Sequence, residues 1–298
     1  LYEPIEYAMH QRGKRIRPLL ALMAADLFSG DIEKAKPAAI AIEVLHNFTL
    51  LHDDIMDKSP LRRGMPTVYN KYDTNTAILS GDTMFAKAFT YLLKAEKTQI
   101  HDLVETFTNA SIEVCEGQAM DMEFEERNDV SIEEYIEMIR LKTGVLLASA
   151  LKLGAITALA EKKDMDYLYD FGLNIGIAFQ LQDDILDCWS NLEDFGKVTG
   201  TDIADNKKTF LYLKSLELAE KDDKEVLTKY FSSTNFDRKE KEEAIKAIYH
   251  KLNLKQLAQE LMQEYNNKAM ESLEKIGVDN QRKQNLISFA NNLMHRNK

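Results

Sequence analysis

The sequence predicts an all-α protein, a single domain of about ten or more helices packed as a bundle. Three observations predict it. Apolar residues recur at three- and four-residue spacing through most of the chain, the period of helices with one buried face. All five prolines (Pro4, Pro18, Pro37, Pro60, Pro66) lie in the first quarter, so nothing after Pro66 interrupts a long helix. Period-two alternation bounded by turn residues is nearly absent, so no sheet is expected.

Taken in order, the chain opens with the basic string Gly13-Lys14-Arg15-Ile16-Arg17-Pro18 and enters an apolar helical stretch that ends in Leu50-Leu51-His52-Asp53-Asp54-Ile55-Met56-Asp57. Breaks are expected at residues 58–72, 128–130, 190–201 and 232–237. Ser131-Ile132-Glu133-Glu134 has the form of a capping box, opening a helix that continues through Val145, Leu146, Ala148 and residues 151–156. Residues 171–178, apolar apart from Asn174, lead into a second acidic string. No break has the composition of a flexible Gly/Ser linker, so residues 1–298 are expected to form one domain. The charge runs at 221–223 and 238–243 are expected to be solvated helix faces.

Composition narrows the function. A formal net charge of -11 argues against broad nucleic-acid binding, which needs a basic face, while leaving room for small anionic ligands at local basic clusters. Two cysteines, Cys115 and Cys188, give no disulfide framework. Each is expected to be a small buried hydrophobe in a reducing, cytoplasmic compartment. No apolar run is long enough to span a bilayer, and no signal peptide is recognisable. The sequence starts at Leu1 rather than Met, so a short N-terminal piece is expected ahead of it.

Asp53 and Asp57 are four apart and share one helix face, where like charges repel. With Asp54 they invite a cation, and carboxylate oxygens suit a hard ion such as Mg²⁺ that also shares substrate phosphate oxygens. Arg62-Arg63-Gly64 follows in a loop; its guanidiniums fit either a salt-bridge network or a clamp on diphosphate oxygens. The pattern repeats in Phe179-Gln180-Leu181-Gln182-Asp183-Asp184-Ile185-Leu186-Asp187, trailed by Lys197, Lys207 and Lys208. Two carboxylate walls facing one cavity would hold several Mg²⁺ ions around one diphosphate. Cleavage of an allylic C–O bond would explain the need. Metals and cations stabilise charge on the leaving diphosphate, and a dry apolar pocket protects the carbocation.

The chain resembles the trans-prenyl diphosphate synthases, the farnesyl and geranylgeranyl diphosphate synthase family. The resemblance spans roughly residues 13–210. It rests on five motifs in order: Gly13 to Pro18, Asp53 to Asp57 with Arg62-Arg63-Gly64, Lys142-Thr143-Gly144, Phe179 to Asp187, and Gly200-Thr201-Asp202-Ile203 on to Lys207. It implies an isoprenoid synthase-like helical bundle around a central cavity, a homodimer, and three Mg²⁺ per site. Asp53 and Asp57 would bind Mg²⁺ from one wall and Asp183 and Asp187 from the other, with Asp54 and Asp184 in support. Lys14, Arg17, His46 and Arg63 match positions that hold isopentenyl diphosphate. Arg62, Lys142, Thr143, Gln180, Lys197 and Lys207 match those that hold the allylic diphosphate. Gln118 and Asp121 are secondary candidates. The sequence departs from the pattern at Arg12, where a second glycine is common, and at Cys188-Trp189-Ser190-Asn191. The basic end His295-Arg296-Asn297-Lys298 is like that of members whose tail closes the site.

By the same resemblance the reaction joins isopentenyl diphosphate to a dimethylallyl, geranyl or farnesyl diphosphate. An aromatic five residues before the first aspartate shortens products. Phe48 is such an aromatic and Thr49, four before, is not, which favours C20, then C15. Plain geometry gives limited support, since Phe48 points roughly 140° from Asp53 on an ideal wheel and Thr49 about 40°. The alternatives are a catalytically silent partner subunit, which tends to lose aspartates, and a class I terpene cyclase, which usually lacks the second acidic motif.

Overall fold

The computed structural model describes residues 1–190, 199–232 and 236–294. The described residues are almost wholly helical. Helices α1 (Tyr2–His10), α2 (Ile16–Leu27), α3 (Ile32–Met56), α4 (Val68–Lys71), α5 (Thr74–Leu92), α6 (Ile100–Glu126), α7 (Ile132–Ile139), α8 (Val145–Thr157) and α9 (Lys162–Trp189) come first. They are followed by α10 (Thr201–Ala204), α11 (Phe210–Leu218), α12 (Lys221–Phe231), α13 (Arg238–Lys251), α14 (Leu254–Glu274) and α15 (Asn280–Met294). Backbone contacts divide the chain into two compact units.

The first unit comprises Leu1–Ile112, Leu146–Asp170 and Lys275–Asn285. Its spine is α3, which starts where the Asp31 carboxylate accepts from the Glu33 N–H at 2.9 Å. Ala35, Ala38, Ala39, Ile42 and Leu45 line the buried face of α3, and α2 and α5 pack on this helix. The run of alanines keeps the helix axes close, because a methyl group holds the backbones apart less than a branched side chain does. α5 is capped in the same way by Asp73, which accepts from the Thr76 N–H at 2.8 Å.

The expected break after α3 contains a departure from the all-helical prediction among the described residues. Leu61–Arg62 and Met65–Pro66 pair antiparallel, Leu61 opposite Pro66 and Arg62 opposite Met65. The two residues between them, Arg63 (φ 54°) and Gly64 (φ 75°), are both left-handed, as a two-residue hairpin whose twist matches its strands requires. Strands of two residues are too short to show alternation in the sequence.

The second unit comprises Glu113–Val145, Phe171–Glu274 and Leu286–Lys298. The predicted capping box is present: Ser131 accepts from the Glu134 N–H, and the Glu134 carboxylate accepts from the Ser131 N–H. The helix it opens is interrupted, however. Arg140–Gly144 winds as a π-turn between α7 and α8, one extra residue in the coil, of the kind often found at functional sites. α6 passes this turn at Gly117, where a Cβ would lie 2.6 Å from the Lys142 amide nitrogen. Tyr135, Phe171, Tyr249 and Leu254 are buried in this unit.

Two surface expectations need correction. In the run at 238–243, Lys241 is buried at 4% exposure, whereas Arg238, Lys239, Glu240 and Glu243 are exposed. The helix turns every fourth residue inward even through a charged stretch. Cys188 is buried as expected, and burial raises its thiol to about 12, but Cys115 is exposed on α6.

Candidate active site

The last turn of α3 carries the first aspartate cluster. The Asp57 N–H donates to the Asp53 carbonyl at 2.8 Å, so Asp57 closes the helix and keeps the four-residue spacing. Asp54 points inward at 4% exposure; Asp57 is exposed. The hairpin after the helix delivers Arg62, whose Nε donates to Asp54 Oδ1 at 2.7 Å while Nη2 lies 3.6 Å from Asp53 Oδ2. Burial raises the Asp54 carboxyl to about 6; Arg62 restrains the rise, and Asp53 and Asp57 add to it. Asp54 thus ties the hairpin to the helix.

Next to this lies a gathering of cations. A Cβ on Gly13 would lie 2.6 Å from Arg63 Nη1, so the Arg63 guanidinium rests against the basic loop. Arg15, left-handed at φ 49°, donates from Nη1 to Glu43 Oε1 at 2.5 Å and from Nη2 to the Met9 and Gln11 carbonyls at 2.5 and 2.9 Å. Burial lowers Arg17 to about 10, with Arg63 adding to the effect and Glu43 opposing it. The Arg17 Nε is buried without a partner. Burial also holds His46 well below its usual range, helped by Arg17, Arg63, Arg62 and Arg15 in turn. The imidazole is therefore neutral at pH 7. Lys14 is exposed on the same loop. An excess of guanidinium around a neutral imidazole, with a buried donor left over, fits a polyvalent anion.

Phe48, one turn before His52 on α3, sets its ring 4.7 Å from the His52 ring and 5.2 Å from Phe85 of α5. Phe85 in turn lies 5.4 Å from Phe89 and 6.3 Å from Phe107, which form an aromatic floor. The Thr49 hydroxyl donates to the His46 carbonyl at 2.8 Å, within its own helix.

In the second unit Lys142 and Lys207 share one set of polar contacts, Thr143, Gln180 and Asp184 a second, and Asp187 a third. Lys142, inside the π-turn, donates to Asp121 Oδ2 at 2.7 Å. Lys207 lies 3.5 Å from the same oxygen and donates to Glu125 at 2.9 Å. Thr143 Oγ1 donates to Gln180 Oε1, and Gln180 Nε2 donates to Asp184 Oδ1, both at 3.1 Å. The Tyr135 hydroxyl donates to the other oxygen of Asp184. Asp187 accepts from the Thr201 hydroxyl at 2.6 Å and from the Thr201 and Asp202 amides at 3.2 and 3.1 Å, so it anchors α10.

The electrostatics of these groups run opposite to those of the basic loop. Burial raises Asp184 to about 7 against the pull of its Tyr135 and Gln180 hydrogen bonds, with Asp187 and Asp121 pushing it further. Burial, then Asp184 and Asp187, hold Asp202 well above the usual carboxylate range. Burial also pushes Asp121 up, but Lys142 and Lys207 together outweigh it and keep this carboxyl low. Crowded, partly neutralised carboxylates with oxygen donors only fit a hard divalent cation. Asp187 keeps one of its roughly four lone-pair sites after three hydrogen bonds.

Lys197 lies outside the described residues, as does the basic end 295–298. Three participants were not singled out from the sequence. Asp202 and Arg15 stood inside quoted motifs, which was the available signal. Tyr135 had none, since its partner Asp184 is 49 residues away. Of the secondary candidates, Asp121 accepts from Lys142, and Gln118 Nε2 is buried without a partner.

Comparison with known proteins identifies a family. The family model for polyprenyl synthetase matches residues 1–252. A geranylgeranyl diphosphate synthase of Sulfolobus acidocaldarius is 43% identical over 80% of this chain and 74% of its own. A geranylfarnesyl diphosphate synthase of Natronomonas pharaonis is 41% identical over 72% of this chain and 68% of its own. A crystal structure of a geranylgeranyl pyrophosphate synthase superposes with a TM-score of 0.95 at 42% identity, covering 99% of this chain and 91% of that one. The chain belongs to the polyprenyl synthetase family and is a prenyltransferase of the trans-prenyl diphosphate synthase type.

Proposed function

We propose that this prenyltransferase joins isopentenyl diphosphate to an allylic diphosphate (dimethylallyl, geranyl or farnesyl), with a C20 product first and C15 next. Two observations carry the reading: an arginine-rich set around neutral His46 in the first unit and, in the second, Lys142 and Lys207 on Asp121 together with the Thr143–Gln180–Asp184 chain. The first suits isopentenyl diphosphate, through Lys14, Arg17, His46 and Arg63. The second suits the allylic diphosphate, through Lys142, Thr143, Gln180 and Lys207, with Arg62 and Lys197 in the same role. The product assignment draws on the activities of the relatives and on Phe48 above its aromatic floor.

Family members generally depend on Mg²⁺. Here Asp53, Asp57, Asp183 and Asp187 would hold it, three ions in all, and the bound ions would supply charge stabilisation on the leaving diphosphate. The protein's own residues do the rest. Arg62, Lys142 and Lys207 balance the charge that grows as the allylic C–O bond breaks. The double bond of isopentenyl diphosphate, oriented by Arg17, His46 and Arg63, attacks the cation. A proton then leaves to the departing diphosphate, and the chain is five carbons longer.

The reading extends to one domain over residues 1–298, a cytoplasmic location and a homodimer. No helix among the described residues is long and apolar enough to cross a membrane. Exposed Ile112, Cys115, Ala119 and Met122 recur at helical spacing on α6 and offer an apolar stripe for a second copy. The test is to incubate the purified chain with Mg²⁺, labelled isopentenyl diphosphate and each allylic starter, and to size the products. The expected result is a C20 diphosphate, lost in the Asp53→Ala, Asp183→Ala double variant. A double variant that condenses at the wild-type rate overturns the assignment, as does a wild-type chain that leaves isopentenyl diphosphate unconsumed.

A further inference from the structure

Lys241 is a lysine in an unexpected place. It sits on α13 at 4% exposure, in a stretch whose neighbours face solvent. Burying an ammonium is costly unless partners replace its water, and here three do. Its Nζ donates to the Ala204 carbonyl at 3.2 Å and to Asn206 Oδ1 at 2.5 Å, and it lies 5.2 Å over the Phe231 ring. The Ala204 carbonyl belongs to the last turn of α10, where the helix leaves carbonyls without intrahelical partners. Asn206 is left-handed at φ 59°, a conformation that costs a non-glycine residue energy unless its side chain is held.

The residue that follows is Lys207. The segment leading to it is fixed at its entrance by Asp187, which takes the Thr201 hydroxyl and the Thr201 and Asp202 amides, while the Gly200 N–H donates to the Asp187 carbonyl at 2.8 Å. Within the turn the Lys207 N–H donates to the Asp202 carbonyl at 2.9 Å. Lys241 fixes the exit. A lysine kept only for solubility would reach solvent, and an apolar residue would serve stability at least as well in a buried position. A cation aimed at one carbonyl and one strained asparagine fixes a conformation.

We infer that Lys241 is a positioning residue for the allylic diphosphate: it locks the turn at Ala204–Asn206 so that Lys207 is presented to the ligand. The inference rests on the proposed role of Lys207 in that site. Lys241 does not touch the ligand and acts through Lys207.

The test uses the full chain carrying Lys241→Met, which keeps the apolar stem, Lys207→Met, the two combined, Lys241→Arg, and Asn206→Gly, whose glycine tolerates the positive φ. Two readouts are taken: KM for each substrate at saturating partner, and calorimetric titration of inorganic diphosphate with Mg²⁺. Lys241→Met is expected to raise KM for the allylic substrate and weaken diphosphate binding about tenfold, leaving KM for isopentenyl diphosphate within about twofold. Added to Lys207→Met it changes either quantity by less than about twofold. Lys241→Arg recovers most of the loss, and Asn206→Gly gives about a threefold shift in the same direction. Unchanged diphosphate affinity, equal rises in both KM values, or additive effects with Lys207→Met overturn the inference. If Lys241→Met does not fold, Asn206→Gly decides, and unaltered binding there overturns it. A wild-type chain that binds diphosphate without condensing substrates defeats the proposed function, while the titration still judges Lys241.

Discussion

The end of α3 and the polar groups around the π-turn both carry an aspartate motif followed by cations, yet their charges are mismatched in opposite senses. Around the basic loop the groups forced away from their ordinary ionisation are cations: Arg17, Arg63 and His46 are all pushed down by burial and by neighbouring guanidiniums. Around the π-turn they are anions: Asp184 and Asp202 are pushed up. The basic loop has more guanidinium than its carboxylates offset, and the second set has more carboxylate than its lysines offset. The same five-residue motif therefore serves different needs, and what decides the need is the set of residues packed next to it. A diphosphate relieves the first mismatch and a divalent cation relieves the second.

The largest expected effect separates the two regions by substrate. Arg17→Met should raise KM for isopentenyl diphosphate about fiftyfold and leave the allylic KM nearly unchanged, the scale of a lost charge-assisted hydrogen bond. Lys142→Met should show the reverse selectivity, with a fall in kcat as well. Steady-state kinetics with each substrate varied in turn checks both, and a common loss in both variants would break the contrast.

A second effect is on stability. In metal-free protein, Arg62→Met leaves Asp54 buried without its partner and should cost about 2 kcal/mol by denaturant titration, less than a fully buried pair because Arg62 is partly exposed. Its pH dependence has a definite sign. Asp54 is raised to about 6 from 3.8 on folding, so its contribution to stability is present below pH 3.8 and is lost as pH rises through 6. Arg62 restrains that rise, so the deficit of the variant should be larger at pH 8 than at pH 5. An equal deficit at both would remove Asp54 from the account.

Product length gives a third, chemically visible effect confined to the first unit. Phe48→Ala should lengthen products by at least one five-carbon unit, and Phe85→Ala, one ring further down, should do so less. Chromatography of the dephosphorylated products measures both, and C20 from either variant alone would place the stop elsewhere. The smallest effect sharpens the comparison by control. Asp31→Ala and Ser131→Ala remove the caps of the helices leading to the two regions and should each cost about 1 kcal/mol in thermal unfolding. Neither should alter substrate preference, since the charge sets stay intact.

Much of this was visible in the residues before any tertiary structure. The proline-free stretch after Pro66 and the helical spacing foretold the helices, Ser131 and Glu134 foretold a cap that is present, and the expected breaks at 58–72 and 128–130 separate helices, while those at 190–201 and 232–237 lie partly outside the described residues. The hairpin at 61–66 was not visible, because two-residue strands have no period, although Arg63-Gly64 has the composition of its turn. The π-turn was hidden too, since one extra residue in a coil leaves no mark on apolar spacing. Among site residues, most of those inside contiguous motifs were found, though Asp202 and Arg15 were passed over there. Tyr135 and Glu43 were not, because their importance comes from partners 49 and 28 residues away.

The sequence by itself determined the helical class, the two acidic strings and the cations that trail them, because these depend on spacing within one turn or one loop. Tertiary structure alone decided what each charge does. It turned Asp54 and Asp187 inward to hold the hairpin and α10, left His46 neutral among arginines, and buried Lys241 in a run of solvated charges. The physical reason is that burial and neighbouring charge set the ionisation and the hydrogen-bond partner of a group. Both arise from segments far apart in the chain that meet only on folding.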